Sequence, residues 1–182
     1  MPQGDLTRIE GSNLALRLIQ PDDAAYVHAL RIDPAYNMYL SEVRGTIDDQ
    51  RAWIERYKDR EEAGEEYYYI IERHDGTPCG TVRLYDIDSD RFTWGSWILD
   101  HNKPRKAALE SAVLSFQIGF ERLGLRLASI DVRVENTHAE AFYRRFGMTE
   151  EKRDARDIYF SLNSEAFYSL IAQYQETLLE AS

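Results

Sequence analysis

Residues Trp97–Met148 read WILDHNKPRKAALESAVLSFQIGFERLGLRLASIDVRVENTHAEAFYRRFGM, and their order decides the fold. The end of a strand leads into a short basic loop, His101–Lys106, with one imidazole and the cations Lys103, Arg105 and Lys106. A helix is expected from about Arg105 to Leu123, because Leu109, Val113, Phe116, Phe120 and Leu123 recur at helical spacing and Gly124 stops it. Ser129–Val134 is apolar and β-branched enough for a buried strand. Thr137 followed by Glu140 has the form of a capping box, which opens a second helix ending at Gly147 and leaves Asn136 free. A helix start carries unpaired N–H groups and the positive end of a dipole. Cations placed directly before one make a natural anion site.

Upstream, Leu14–Ile19 alternates as a first strand and Pro21-Asp22-Asp23 opens a helix carrying Ala24, Val27, His28 and Leu30. The apolar segment Ala35–Leu40 is expected to add a turn or two of helix. Thr46 and Asp49 resemble a capping box for a helix from Ile47 to about Glu62. Glu66–Glu72 is aromatic and β-branched, hence a strand. The Asp-Gly of His74–Thr77 turns it into a hairpin partner, Cys79–Tyr85, and Arg91–Leu99 follows as a third antiparallel strand. Ile158–Leu162 reads as a last strand and Glu165–Leu179 as a terminal helix. Strands and helices in this order predict an α/β (α+β) layer fold: one mixed, mostly antiparallel central sheet with helices on both faces.

A chain of 182 residues suits one domain, residues 1–182, burying roughly 70% of its extended-chain surface. The net charge of −10 argues against general nucleic-acid binding, which needs a basic face. It leaves room for a polyanionic cofactor, since cations cluster at His101–Lys106. One cysteine, Cys79, rules out an intrachain disulfide, and four histidines without ligand spacing give no metal signal. No stretch has the apolar core of a signal peptide or the length to span a membrane, so no membrane association and a cytoplasmic location are expected.

With these elements placed, the chain resembles the GNAT superfamily of acyl-CoA-dependent N-acetyltransferases over nearly its whole length. The resemblance rests on the order of elements, on Gly80-Thr81-Val82, on Gly95-x-Trp97-Ile98-Leu99, and on Asn136-x-x-Ala139-x-x-x-Tyr143-x-x-x-Gly147-Met148. Two subgroups look similar: N-terminal acetylases of ribosomal proteins and acetylases of amino-sugar nucleotides. The resemblance implies transfer of an acetyl group from acetyl-CoA, as co-substrate, to a primary amine. A small-molecule or nucleotide-sugar acceptor is favoured over a protein N-terminus, and a homodimer is possible.

The same resemblance implies site residues. Tyr143 would be the catalytic acid to the departing thiolate. Backbone groups of Trp97, Ile98 and Leu99 would face the acyl group, and Asn136 the pantetheine arm. The loop Lys103, Arg105, Lys106, Ala107 and Ala108 would take the pyrophosphate. Arg31, Gln50, Tyr85 and Trp94 would line the acceptor side. Trp94 and Trp97 should lie on opposite faces of their strand, so that at least one is core. The loop departs from the family pattern, with Lys106 where a glycine is usual. Thr93 likewise stands where many relatives carry a glutamate. Glu66, Asp86, Asp88 and His138 are bases by type, and the residues single out none of them. The two departures keep a second reading open, a degenerate GNAT-like ligand-binding module without catalysis.

Overall fold

The computed structural model describes residues 4–180. Its centre is an eight-stranded sheet of order β1-β2-β3-β4-β5-β6-β8-β7. Strands β1 (Arg8–Glu10), β2 (Leu14–Leu18), β3 (Tyr67–Arg73), β4 (Pro78–Tyr85) and β5 (Arg91–Leu99) form a continuous antiparallel run. Strands β6 (Leu127–Arg133), β8 (Asp157–Asn163) and β7 (Thr149–Arg153) form a second antiparallel block. The blocks join through a parallel pairing of β5 with β6 at Arg91↔Leu127, Phe92↔Ala128 and Thr93↔Ser129, and nowhere further along. Beyond Thr93 the two strands diverge.

Helices cover both faces of the sheet, as expected, but unevenly. Helices α1 (Ala24–Ile32) and α2 (Ile47–Glu62) lie over the first block, where Ala24, Val27, Ile54 and Tyr57 pack on Ile19, Tyr68 and Ile70. Helices α3 (Ala107–Gln117), α4 (Thr137–Phe146) and α5 (Ser164–Glu180) share the other face, where Phe116, Phe146 and Phe167 meet Trp94, Ile130 and Phe160. Phe116 stacks on Trp94 with centroids 5.0 Å apart. Truncating either ring to alanine would cost about 3–5 kcal/mol.

Several expectations need correction. Ala35–Leu40 forms turns rather than helix, its backbone closing on Asp33 and Asn37. Strands β1 and β7 were not legible: β1 has three residues, and TEEKR in β7 is a charged edge strand without alternation. The long helix begins at Ala107 and widens into a π turn over Ile118–Arg122, where the Leu123 N–H donates to the Ile118 carbonyl. That widening brings Gly119 under the Phe92 ring, which a Cβ would strike at 2.3 Å. Helix α2 keeps its expected capping box, with the Thr46 hydroxyl accepting from the Asp49 N–H.

Candidate active site

Between the diverging strands β5 and β6 lies a cavity of about 340 Å³. Tyr85, Trp94, Trp97, Asn136 and Tyr143 line it together, as do Asp131, Asp157 and the loop residues Tyr39–Ser41. The Tyr39 hydroxyl donates across its mouth to the Glu135 carbonyl at 3.2 Å. Five residues singled out from sequence therefore converge in one cleft.

A β-bulge shapes one wall. Thr81 pairs with Ile98 and Arg83 with Gly95, so Ser96 and Trp97 together oppose Val82. Ser96 has φ +48°, a left-handed backbone that costs a non-glycine residue roughly 1–2 kcal/mol. The Thr81 hydroxyl ties the bulge down by donating to the Ser96 carbonyl at 2.9 Å. The extra residue reverses the alternation, and this overturns the opposite-face expectation for the tryptophans. Trp94 and Trp97 lie on the same face with centroids 5.0 Å apart. Their indole N–H groups donate to two serines one helical turn apart on α3, Ser115 at 2.8 Å and Ser111 at 3.1 Å. Trp94 is 1% exposed and forms the cavity's floor as part of the core. On the neighbouring strand Gly80 permits close approach, since a Cβ there would meet the Ile98 carbonyl at 2.1 Å.

Tyr143 projects from α4 into this aromatic group, edge-on to Trp94 at 6.0 Å and to Phe160 at 5.8 Å. The residue is 6% exposed, and burial pushes its phenol above the ordinary value, with Asp131 adding to the effect. Its hydroxyl donates to no described residue, yet no fully buried side-chain polar atom is left without a partner. The hydroxyl therefore opens onto the cavity. The helix behind it ends at Gly147, φ +95°, where the Met148 N–H closes on the Tyr143 carbonyl.

Asn136 is not free. Its side-chain oxygen is the N-cap of α4, accepting from the Ala139 N–H at 3.2 Å. The expected Thr137–Glu140 box does not form: the helix starts one residue earlier, the Glu140 N–H donates to the Asn136 carbonyl at 3.1 Å, and the Glu140 carboxylate pairs with Arg144 at 2.8 Å and Arg153 at 2.9 Å. Asn136 still borders the cavity.

The start of α3 has no cap. Lys106 is its N-cap residue, with φ +61° and no side-chain cap bond. The lysine adopts the backbone shape usually left to glycine, and its side chain is exposed beside those of Lys103 and Arg105. Ala107 is buried against the core, while Ala108 and Leu109 belong to a first turn whose N–H groups have no intrahelical acceptor. The preceding loop is anchored at Asp100, which is 3% exposed and accepts from the Tyr26 hydroxyl at 2.7 Å and the Asn102 N–H at 2.7 Å.

Arg31 and Gln50 are not in the cleft. They line a groove of about 250 Å³ beside it, with Arg44 and Arg56. A smaller pocket bordered by Arg31, Leu40, Ser41, Ser96 and Ile98 links groove to cleft. Leu99 sits further along β5, paired with Gly80. Among bases by type, Glu66 is buried and locked between Arg60 and Arg83. Asp86 and Asp88 lie in the segment joining β4 to β5, and His138 is exposed on α4. Thr93 points to the face opposite Trp94.

Asp131, Arg133, Arg156 and Asp157 border the cavity without having been singled out from sequence. On β6 the polar Ser129, Asp131 and Arg133 alternate with buried Ala128, Ile130 and Val132. In sequence that pattern describes any half-solvated strand. Only the splay of β5 from β6 turns its polar face into a cavity wall.

The family model described as "Acetyltransferase (GNAT) domain" matches residues 13–149. The structure is similar to that of FdhC, titled a nucleotide-linked sugar GNAT, with a TM-score of 0.85, 37% identity, and coverage of 92% of this chain and 96% of that one. A curated relative from Bacillus subtilis (strain 168), the SPbeta prophage-derived uncharacterized N-acetyltransferase YokL, is 22% identical over 143 residues, 78% of each chain. The fold is also shared with spermidine N-acetyltransferase from Vibrio cholerae in complex with CoA and spermine. That likeness has a TM-score of 0.76 and 19% identity, covering 87% of this chain and 99% of the other.

Proposed function

The chain belongs to the GNAT acetyltransferase family, and from that premise we propose that it moves an acetyl group from acetyl-CoA to the primary amine of a nucleotide-linked amino sugar. The observation that carries acyl transfer is the β5–β6 cleft with the unpartnered hydroxyl of the otherwise buried Tyr143 opening into it. The acceptor class draws support from the 37% likeness to a nucleotide-linked sugar GNAT. It also draws on Arg31 and Arg56 along the adjoining groove, where a diphosphate would find cations; the groove's third arginine, Arg44, is paired with Glu42 at 3.1 Å.

The residues fit acetyl-CoA. The uncapped start of α3 offers first-turn N–H groups, and Lys103, Arg105 and Lys106 stand around it in solvent, the donor set a pyrophosphate takes. Lys106 takes a left-handed backbone, is exposed and makes no side-chain cap bond, so it would add a cation at the cradle. Acetyl-CoA supplies the activated acetyl group. The Tyr143 phenol, protonated at neutral pH at its ordinary value and pushed higher by burial, would give that proton to the departing sulfur. The bulge takes Ser96 and Trp97 out of the regular ladder, and their backbone would steady the carbonyl oxygen.

Calorimetry with acetyl-CoA, followed by thiol release with UDP- and dTDP-linked amino-deoxyhexoses, spermidine and a free-N-terminus peptide, tests this reading. Micromolar acetyl-CoA binding and turnover of a nucleotide sugar are expected. No heat at millimolar acetyl-CoA would overturn the transferase reading. Turnover of spermidine or peptide alone would overturn the acceptor.

A further inference from the structure

An amine attacks only as the free base, while an aliphatic amine near neutral pH is mostly ammonium. The acceptor therefore needs a group that first binds a cation and then takes its proton. Among the described residues that border the cleft, two are carboxylates, Asp131 and Asp157. Asp157 is occupied: Arg133 approaches it at 3.6 Å and Arg156 at 3.5 Å. Asp131 has no ion pair and no side-chain hydrogen bond to another described residue.

Its position also differs from that of Tyr143. Asp131 belongs to the polar register of β6, on the face away from α3–α5, whereas Tyr143 comes from the helical side. Both reach the same gap because β5 and β6 stop pairing after Thr93↔Ser129, two residues before Asp131. We propose that Asp131 receives the acceptor's ammonium group and takes its proton, from the side of the sheet opposite the Tyr143 acid. This rests on the acetyltransferase reading above and adds a catalytic residue to it.

The charged and titratable surroundings agree. Tyr85 of β4 and Tyr143 of α4 face Asp131 across the cavity, and Asp157 and Tyr159 flank it on β8. Arg133 and Arg156 are turned to Asp157, and Glu151 and Lys152 of β7 lie beyond Tyr159. Asp131 is exposed overall, but partial desolvation of its carboxyl, then the negative charge of Asp157, pushes it above the ordinary carboxylate range against the opposing pull of Arg133 and Arg156, which strengthens it as a base. The balance closes. The ammonium proton passes to the Asp131 carboxylate, and the freed lone pair forms the C–N bond. The C–S bond breaks with its electrons on sulfur, which takes the Tyr143 proton. As the adduct collapses the nitrogen gives up its second proton to water. The Asp131 proton also leaves through its exposed side to water, and Tyr143 is reprotonated from solvent, a net release of one proton.

The test uses the full chain with 13C-carboxyl-labelled aspartate, the Asp131 signal being assigned by its loss in Asp131→Asn. A dTDP-linked amino-deoxyhexose should move that signal, and the N-acetylated form of the same sugar should not. Equal movement with both probes, or with neither, overturns the proposal. Failure of the transferase reading shows separately, as no acetyl-CoA binding by calorimetry. With a turned-over acceptor, Asp131→Asn should lower kcat by about 10²–10³-fold and leave the acetyl-CoA KM within threefold. It should also abolish the acidic limb of the pH profile, while Asp131→Glu restores part of the rate. The base form is lost as pH falls through a pKa raised above the usual ~3.9, so the wild-type limb lies above that value. An Asn variant with wild-type kcat and an unchanged limb sinks the assignment.

Discussion

Two helices on one face of the sheet start differently: the chain finishes one start and leaves the other open. At α4, Asn136 caps the first turn with its own side chain, and Glu140 is tied to Arg144 and Arg153. At α3, Lys106 caps nothing, sits at φ +61°, and carries its charge into solvent. A helix start satisfied from within is structural, and here it holds Tyr143 at a fixed depth. One whose N–H groups await a partner is suited to an anionic ligand. In the proposed transferase these two helices would divide the work between positioning and binding.

The largest effect should come from the finished side. Tyr143→Phe is expected to lower kcat by about 10²-fold or more with the acetyl-CoA Kd unchanged within twofold, measured by thiol release and calorimetry. Unaltered turnover would remove Tyr143 from the chemistry and leave α4 a purely packing helix. On the open side, Lys106→Glu should weaken acetyl-CoA about tenfold, the equivalent of ~1.4 kcal/mol, more so at low salt. An affinity insensitive to both the charge and the salt would make the basic loop an ordinary solvated turn.

A third pair of variants asks which residue caps α4. Asn136→Ala should cost about 1 kcal/mol in urea unfolding, and Thr137→Ala under ~0.5 kcal/mol. The reverse order would restore the Thr137–Glu140 box. The smallest effect belongs to Lys106→Gly. Relief of a left-handed lysine, worth roughly 1–2 kcal/mol, is offset by about 0.5–1 kcal/mol of glycine entropy. A net gain of about 0.5 kcal/mol is expected, and a loss above ~1 kcal/mol would mean the lysine side chain makes contacts of its own.

Much of the site was legible where local rules suffice. Tyr143, Trp97 and Asn136 were placed by motif, Tyr85 as an acceptor-side candidate, and the four meet in the cleft. What failed was decided by partners far away in sequence. The Thr137–Glu140 box is absent because the helix starts one residue earlier, on Asn136, and the Glu140 carboxylate goes to arginines 4 and 13 residues on. Trp94 and Trp97 share a face because one extra residue enters β5 opposite β4, and a bulge leaves no mark in an apolar stretch such as Trp94–Leu99. Arg31 and Gln50 line the neighbouring groove because α1 and α2 cover only the first block of the sheet.

The sequence by itself determined most element types, the mixed layered fold and the family, because hydrophobic period, turn chemistry and the Asn136–Met148 pattern are local properties of the chain. The tertiary structure alone decided that three residue pairs join the two sheet blocks and that a gap opens beyond them. It also decided that Asp131, one more polar residue on an alternating strand, faces that gap without a counter-ion. Strand splay and charge pairing are relations between distant residues, and each depends on which other groups have already found partners.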